Sequence, residues 1–314
     1  MFFLRLTLLL VVIEWTACKQ PDEQIVTGSQ DKFLNQGGKG ALLLTRFTSL
    51  EEFTTEVQIQ YVEEMYESKV NQARKPQVKL VHFSGGRKVT SVLKSGISQV
   101  DFMNVRKGTI WDKMILGIRC PYAVLNKKAL VCVENLGRRR PWDFGKGDVA
   151  FYDLAEMMVQ HIEDEDLKDM SCEDLSEKGY LNTFNHITAQ AFMTSMFAET
   201  LADFVADVHE LYNMPELTTG KFTHAQLADF VNGPVDNYLD MINNEWGQEL
   251  GKELGRKYGI NRKTNWTPQL LVNYLNDIQS YHSWAFQIGF NPFSVTDDKV
   301  IQFANKINRL KTQT

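Results

Sequence analysis

The chain has 314 residues, of which 43% are hydrophobic, 11% aromatic and 23% charged, and only 8 are prolines. This length accommodates one large or two ordinary domains, and the composition is that of a folded protein rather than a disordered one. Lys and Arg number 34 against 39 Asp and Glu, a net charge of -5. Because the chain lacks the summed positive field that holds phosphate backbones, nucleic acid is not an expected partner.

Residues 1–17 are predicted to be a signal peptide. Arg5 supplies a positive charge, and residues 6–13 are apolar except for Thr7. This run is shorter than the roughly 18 to 20 residues of a membrane-spanning helix. The next residues, Trp15-Thr16-Ala17-Cys18, resemble the bacterial lipoprotein box, in which small residues precede a cysteine that becomes the lipidated N-terminus. The resemblance predicts a lipid anchor on Cys18, with Trp15 in place of the usual leucine; a secreted protein cut elsewhere is the alternative.

Residues 18–30 are predicted to be a tether. Lys19 is followed by Asp22 and Glu23, and this order is similar to the surface-export signals of lipoproteins in the Bacteroidetes group. The expected location is therefore the bacterial cell envelope, as an outer-membrane lipoprotein exposed at the surface. The expected partner is the membrane, through the lipid anchor. The sequence indicates no particular protein partner.

Residues 31–145 are predicted to be a mixed α/β segment. Ser49-Leu50-Glu51-Glu52 has the capping-box pattern, and apolar residues then recur at helical spacing until Pro76, which predicts an amphipathic helix. Residues 77–83 and 89–93 alternate like strands on either side of a Ser-Gly-Gly turn. Residues 115–133 predict two further strands.

Three cysteines follow Cys18 in the chain. Cys120 and Cys132 flank an apolar stretch with Asn-Lys-Lys at its centre, and a hairpin there would let them form a disulfide in an oxidising envelope. Cys172 is left over and is expected to be a free thiol. No CxxC or CxxH spacing occurs, which disfavours a cysteine-based zinc site.

Residues 146–314 are predicted to be a helical domain. From about Asp148 onward the apolar period is helical, and Pro234, Gly259 and Thr267-Pro268 mark helix ends. At least five helices are expected in this half. The predicted fold class is α+β, mainly α, and a single compact unit is the alternative to two domains.

One predicted helix departs from ordinary helix composition. Asp236, Asp240 and Asn244 recur every four residues with Asn243 adjacent, which gathers polar side chains on one face. Gly247, Gly251 and Gly255 follow in the same step. Because an interior glycine costs about 0.5 to 1 kcal/mol relative to alanine, this series predicts close approach of a neighbouring backbone.

Two histidines, His186 and His209, are the second part of this polar cluster. In one straight helix they would be about 35 Å apart and would share no site. If the chain turns back near residues 197–200, the two histidines become neighbours on antiparallel helices. We therefore predict a helix pair over residues 182–212.

These residues resemble a bacterial helical domain family of unknown function, with a histidine, then Ala-Asp-x-His-Glu, then Met-Asp-x-x-Asn-Asn-x-x-Gly. The matching residues are His186, Ala206-Asp207-Val208-His209-Glu210 and Leu239-Asp240-Met241-Ile242-Asn243-Asn244-Glu245-Trp246-Gly247, with Leu239 in place of the methionine. The resemblance covers residues 180–258 and implies no established reaction. In the family an arginine often precedes the first histidine and another often follows the glycine, whereas this chain has Asn185 and Gln248 at these positions.

The candidate site residues predict hydrolytic chemistry of two kinds. His186, His209, Glu210 and Asp240, with Asn243 and Asn244 beside them, could bind a divalent metal that activates water. Alternatively, a histidine oriented by an aspartate could act as a general base without a metal. No HExxH or G-x-S-x-G motif supports either kind. The non-catalytic alternative is a surface lipoprotein whose polar cluster is structural or binds a ligand.

Overall fold

The computed structural model describes residues 50–65, 74–84, 87–94, 97–211, 214, 216, 224–225 and 233–312. The predicted signal peptide, Cys18 and the tether lie outside the described residues. Within the described part, the chain forms thirteen helices and one three-stranded antiparallel sheet. The predicted fold class, α+β and mainly α, is confirmed.

The elements follow one another in chain order. A short helix precedes the sheet: α1 (Leu50–Glu56), β1 (Val57–Met65), β2 (Arg74–Ser84) and β3 (Arg87–Lys94). Five short helices come next: α2 (Gln99–Lys107), α3 (Ile110–Arg119), α4 (Pro121–Leu125), α5 (Lys127–Leu136) and α6 (Pro141–Phe144). The rest is helical: α7 (Phe151–Gln160), α8 (Asp164–Leu167), α9 (Tyr180–Met196), α10 (Glu199–Glu210), α11 (Pro234–Tyr258), α12 (Pro268–Phe286) and α13 (Asp298–Thr312).

The first predicted helix is correct only over its first two turns. It starts at Leu50 but ends at Glu56, where β1 begins. From Val57 the apolar residues also alternate with glutamines, a period of two that suits a strand. Pairing with β2 decides between the two periods, because Val57 lies opposite His82 and is fully buried.

The predicted strands at residues 77–83 and 89–93 are confirmed as β2 and β3. The sheet order is β1-β2-β3, with Val78 opposite both Tyr61 and Leu93. Val78, Leu80 and Leu93 are buried, and β3 packs against α11. The sheet therefore covers one side of the helix that carries Asp240.

The strands predicted between residues 115 and 133 are wrong, since this region is helical. Capping boxes at Ser98 and Thr109 start α2 and α3, with an aspartate at the third helical position of each. In α5 the buried residues Ala129, Cys132, Val133 and Leu136 have helical spacing. The change from strand to helix thus comes at residue 99, not at about residue 148.

The disulfide between Cys120 and Cys132 depended on the hairpin that these helices replace. Cys120 precedes α4, Cys132 is buried in α5, and both are free thiols, as is Cys172. Burial raises the pKa of the Cys132 thiol to about 11. The predicted disulfide is wrong, whereas the free thiol at Cys172 is confirmed.

The predicted helix pair over residues 182–212 is confirmed. The first helix, α9, ends at Met196 and α10 starts at Glu199, so the break falls at Phe197 and Ala198. The helices α9, α10 and α11 pack against one another, and α9 and α11 make the most extensive contact. At Gly247 and Gly251 the backbone of α11 lies so near that of α9 that a methyl group would meet the carbonyl oxygens of Ile187 and Ala191. The predicted close approach at these glycines is confirmed.

One continuous core joins the sheet to the helices. It includes Phe53 and Val57 at one end and Phe303 and Leu310 of α13 at the other. A buried ion pair also ties α13 to the loop before α7: the Lys306 ammonium donates to an Asp148 carboxylate oxygen at 2.8 Å and to the carbonyls of Arg138 and Val149.

Candidate functional site

The candidate site begins with His186 on α9, which faces α11. Its Nδ1 lies 2.9 Å from Asn244 Oδ1, and its Nε2 lies 3.4 Å from an Asp240 carboxylate oxygen. The two α11 residues are one helical turn apart, so that they contact the ring at its two nitrogens. The sequence-predicted residues His186, Asp240 and Asn244 are therefore brought together.

Asn182 completes this contact and was not among the predicted site residues. Its side-chain amide donates to Asp240 Oδ1 at 2.8 Å. Asn182 lies four residues before His186, on the same face of α9. That spacing was the available signal for it.

The last residue of α10, Glu210, brings a second carboxylate to the site. One ligand atom from each of His186, Glu210 and Asp240 lies within 4.8 Å of the others. Glu210 is only 1% exposed, and its Oε1 has no hydrogen-bond partner. Burial, followed by the negative charges of Asp240, Asp236 and Asp207, raises the pKa of Glu210 well above its ordinary value.

This arrangement indicates a place for positive charge. Two buried carboxylates in contact repel each other, and an unpaired buried carboxylate oxygen has a large desolvation cost. Either a proton on Glu210 or a cation between the carboxylates removes that cost. The unpartnered Oε1 of Glu210 is the atom that would carry the proton or bind the cation.

His209, the residue before Glu210, lies at the exposed edge of the site. Its ring reaches solvent, and its Nδ1 lies 3.2 Å from Gln99 Oε1 at the start of α2. The protein packed around the ring lowers the pKa of His209, with a further contribution from His186 and an opposing one from Asp240. His209 is therefore near the predicted ligands but is not one of the three that converge.

Asn243 lies on α11 three residues after Asp240 and four residues before Gly247. It is buried, but it is not one of the three residues whose ligand atoms converge. Gln248 donates to Gln190 Oε1 at 3.3 Å.

A small pocket opens next to the site, between α10, α11 and β3. Its volume is about 270 Å³, including space open to solvent, and Glu210 and Asn244 belong to its wall. The remaining polar lining is also mostly acidic: Ser91, Asp203, Asp207, Glu245 and Gln248. The pocket suits a small cation or a water molecule better than a large ligand.

A second acidic group, missed in the sequence, lies farther along the same two helices. Glu199, Glu245 and Glu249 each bring a carboxylate oxygen within 4.8 Å of the others. Lys252 already neutralises part of this charge, because its ammonium lies 2.9 Å from Glu199 and 2.5 Å from Glu249. Burial and the neighbouring carboxylates raise the pKa of Glu245 to about 8, against the opposing effect of Lys252.

Among the described residues, no helix combines the length and the apolar character that crossing a membrane requires. No family model, no curated protein and no solved structure matches the sequence. The resemblance to the bacterial helical family therefore stays a prediction.

Proposed function

We propose that this chain is a lipid-anchored envelope protein that binds a divalent cation through His186, Glu210 and Asp240. The observation that carries the proposal is that Glu210 is buried with an unpartnered carboxylate oxygen and brings a ligand atom within 4.8 Å of ligand atoms from the other two residues. A tetrahedral site with bonds of about 2.0 to 2.2 Å places its ligand atoms about 3.3 to 3.6 Å apart. A small inward movement of the side chains would close the site on an ion.

The hydrogen bond from His186 Nδ1 to Asn244 supports the same proposal. Histidine ligands commonly donate the ring nitrogen that does not bind the metal to a neighbouring oxygen, which fixes the tautomer. With Nδ1 donating to Asn244 Oδ1, the Nε2 lone pair is directed toward Asp240. Asn182 similarly orients the Asp240 carboxylate.

One imidazole with two carboxylates suits zinc, manganese or ferrous iron better than copper(I), which prefers sulfur ligands. The cation would replace the proton that the raised pKa of Glu210 favours. Affinity for the cation should therefore rise with pH as the ligands lose their protons.

Hydrolysis is the second candidate function, and the pocket beside Glu210 favours it. Three protein ligands leave one coordination position, and a metal-bound water there could become a nucleophile. His209, close to His186 and Asp240, could then take up a proton as a general base. Without an open position the cation would have a structural role.

Cation binding is tested by titrating the metal-free full chain with Zn²⁺ and Mn²⁺ in a calorimeter. We expect one binding event, weakened at least about tenfold by Asp240→Asn or Glu210→Gln, because each removes a charged ligand. Glu249→Gln in the second acidic group and Asp143→Asn on exposed α6 are the matched controls and should bind like the unmodified chain. Equal binding by all four variants would refute the proposal.

Hydrolysis is tested separately on the chain loaded with metal. Generic carboxylic and phosphoric esters serve as substrates, and His209→Ala should lower turnover at least about a hundredfold while metal affinity stays unchanged. Tight metal binding without turnover of either ester class would assign the site a structural role.

A further inference from the structure

Helix α3 exposes an apolar face to solvent. It has no buried residue, although Ile110, Trp111, Met114, Ile115 and Ile118 all lie along it. At about 100° per residue these five side chains span an arc of about 140° on one side of the helix. Ile110 and Ile118 are 75% and 79% exposed.

The exposed apolar residues are concentrated in one part of the chain. Of the eleven large hydrophobic residues that are exposed in the described part, ten lie between Val100 and Trp142. Beyond those of α3 they are Val100, Val124, Leu125, Val131 and Trp142, and the eleventh is Val295. Such concentration marks an interaction surface, whereas single exposed apolar residues need no explanation.

The same part of the chain is basic, although the protein is acidic overall. Residues 99–140 contain nine of the 34 Lys and Arg residues but only three of the 39 Asp and Glu residues. Exposed Lys113 and Arg119 lie beside the two edges of the apolar face of α3, and Lys107, Lys127 and Lys128 are exposed on neighbouring helices. A surface partner with negative charge is therefore favoured.

We propose that α3 lies in the interface of an anionic membrane, with its apolar face among the acyl chains. Helices that bind in this way combine an apolar face, flanking lysine or arginine, and tryptophan at the boundary between lipid and water. Trp111 on α3 and Trp142 on α6 are 71% and 78% exposed. When the apolar face enters the acyl chains, the cations that border it would lie at the level of the anionic headgroups.

The packing of α3 leaves this face free of the core. Its main contacts are with α2 and α4, its neighbours in the chain. Gly117, at the edge of the apolar face next to Ile110, lies near Val124 of α4. In turn α4 is held on the helical body by Tyr122, whose ring is 5.0 Å from that of Phe204 on α10. The membrane surface is thus attached to the helix that carries Glu210.

The test uses vesicles and the tryptophan on α3. The full chain carries Cys18→Ser, which removes the predicted lipid anchor, and Trp15→Phe, which removes the tryptophan of the predicted signal peptide. It is mixed with vesicles of phosphatidylglycerol and brominated phosphatidylcholine, because bromine quenches tryptophan that enters the acyl region. The part of the quenching that disappears in Trp111→Phe reports on α3 alone, even if the predicted signal peptide also binds the vesicle.

We expect quenching of Trp111 on anionic vesicles, and weaker quenching on neutral vesicles or in high salt. Ile110→Gln with Ile118→Gln should remove at least about half of it, because less apolar surface is then buried in lipid. Val295→Gln, an exposed apolar residue outside the surface, is the matched control. All variants should keep the thermal stability of the parent chain, because the changed side chains are exposed.

Absence of Trp111 quenching on anionic vesicles would overturn the proposal. Equal quenching in the Ile110→Gln and Ile118→Gln double variant would also overturn it. If that double variant instead converts a dimer to a monomer in sedimentation while no quenching occurs, the face belongs to a second copy of the chain.

Discussion

Replacement of Gly251 by alanine tests how closely α9 and α11 pack. A Cβ atom at this position would lie 2.5 Å from the Ala191 carbonyl oxygen and 2.8 Å from Thr194 Cβ. Ordinary contacts begin near 3.4 Å, so one helix must move by about 0.6 to 0.9 Å. The nearest atom belongs to the backbone, which cannot rotate away as a flexible side chain can.

Two opposing effects set the magnitude. Overpacking of a filled contact costs about 1 to 3 kcal/mol, and occasionally more. Alanine in a helix interior gains about 0.5 to 1 kcal/mol over glycine. Since the clash involves a whole helix, we expect Gly251→Ala to lower the free energy of unfolding by about 1 to 2 kcal/mol.

Gly255 provides the matched control on the same helix. There a Cβ atom would lie 3.4 Å from Ser195 Cα, an ordinary contact. Gly255→Ala should therefore raise the free energy of unfolding by about 0.5 to 1 kcal/mol. Urea unfolding followed by circular dichroism measures both variants. If Gly251→Ala is as stable as Gly255→Ala, the close packing of α9 and α11 described above is incorrect.

Three further predictions concern charges and the anchor. The pKa of Glu245 is raised to about 8 in the folded chain, whereas its ordinary value is about 4.5. Between these two pH values the folded chain keeps a proton that the unfolded chain loses, so the free energy of unfolding should fall as pH rises. Glu245→Gln should therefore stabilise the fold by about 1 to 3 kcal/mol at pH 8 but not at pH 4 in urea unfolding, and an equal effect at both pH values would contradict the reasoning. Lys306→Met should cost about 3 to 5 kcal/mol because Asp148 is left buried without its cation, and Asp148→Asn in the same chain should recover part of that loss in thermal unfolding. A chain from its native host should fractionate with membranes and show the intact mass of a form that begins at lipidated Cys18; a soluble, unmodified chain would rule the anchor out.

The helical half could be predicted because its signals are local. Pro234 and Gly259 bound α11, Gly259 has the left-handed conformation with φ 61, and Thr267 caps α12 through its hydroxyl. The glycine series predicted close approach of a neighbouring backbone, because a repeated helix-weakening residue requires compensation by packing, and that neighbour is α9. Each of these features depends on a few neighbouring residues.

The errors in the predicted helices and strands came where the apolar residues fit both the helical and the strand period. They also came where an apolar stretch is short enough to be either element. From Val57 the apolar residues fit both helix and strand, and only pairing with β2 selects the strand. The apolar stretch between Cys120 and Cys132 also suits strands, because it is short and rich in valine and leucine. Its two helices, α4 and α5, begin without a side-chain cap, and Pro121 at the start of α4 is the local signal for a helix there.

The site was predicted in outline but not in its details. The helix pair brought His186 and Glu210 together as expected, and Asp240 joined them from α11. That His209 is not among the converging ligands could not be predicted, because its ring contacts Gln99 at the start of α2. Contacts between segments that are distant in the sequence cannot be predicted from the residue pattern of a single helix.

The ion pair between Lys306 and Asp148 joins residues that are 158 positions apart. Contacts of such long separation form late, since the entropy of closing a long loop must be overcome before they contribute. The sheet and the α9 and α10 pair, by contrast, close over short distances along the chain. The sheet and the helix pair should therefore form before α13 docks, and the docking of α13 should be the last step of folding. A chain cut before residue 298 would leave Asp148 without the ammonium that neutralises it, and we expect it to be trapped in a partly packed state rather than to lose only its end.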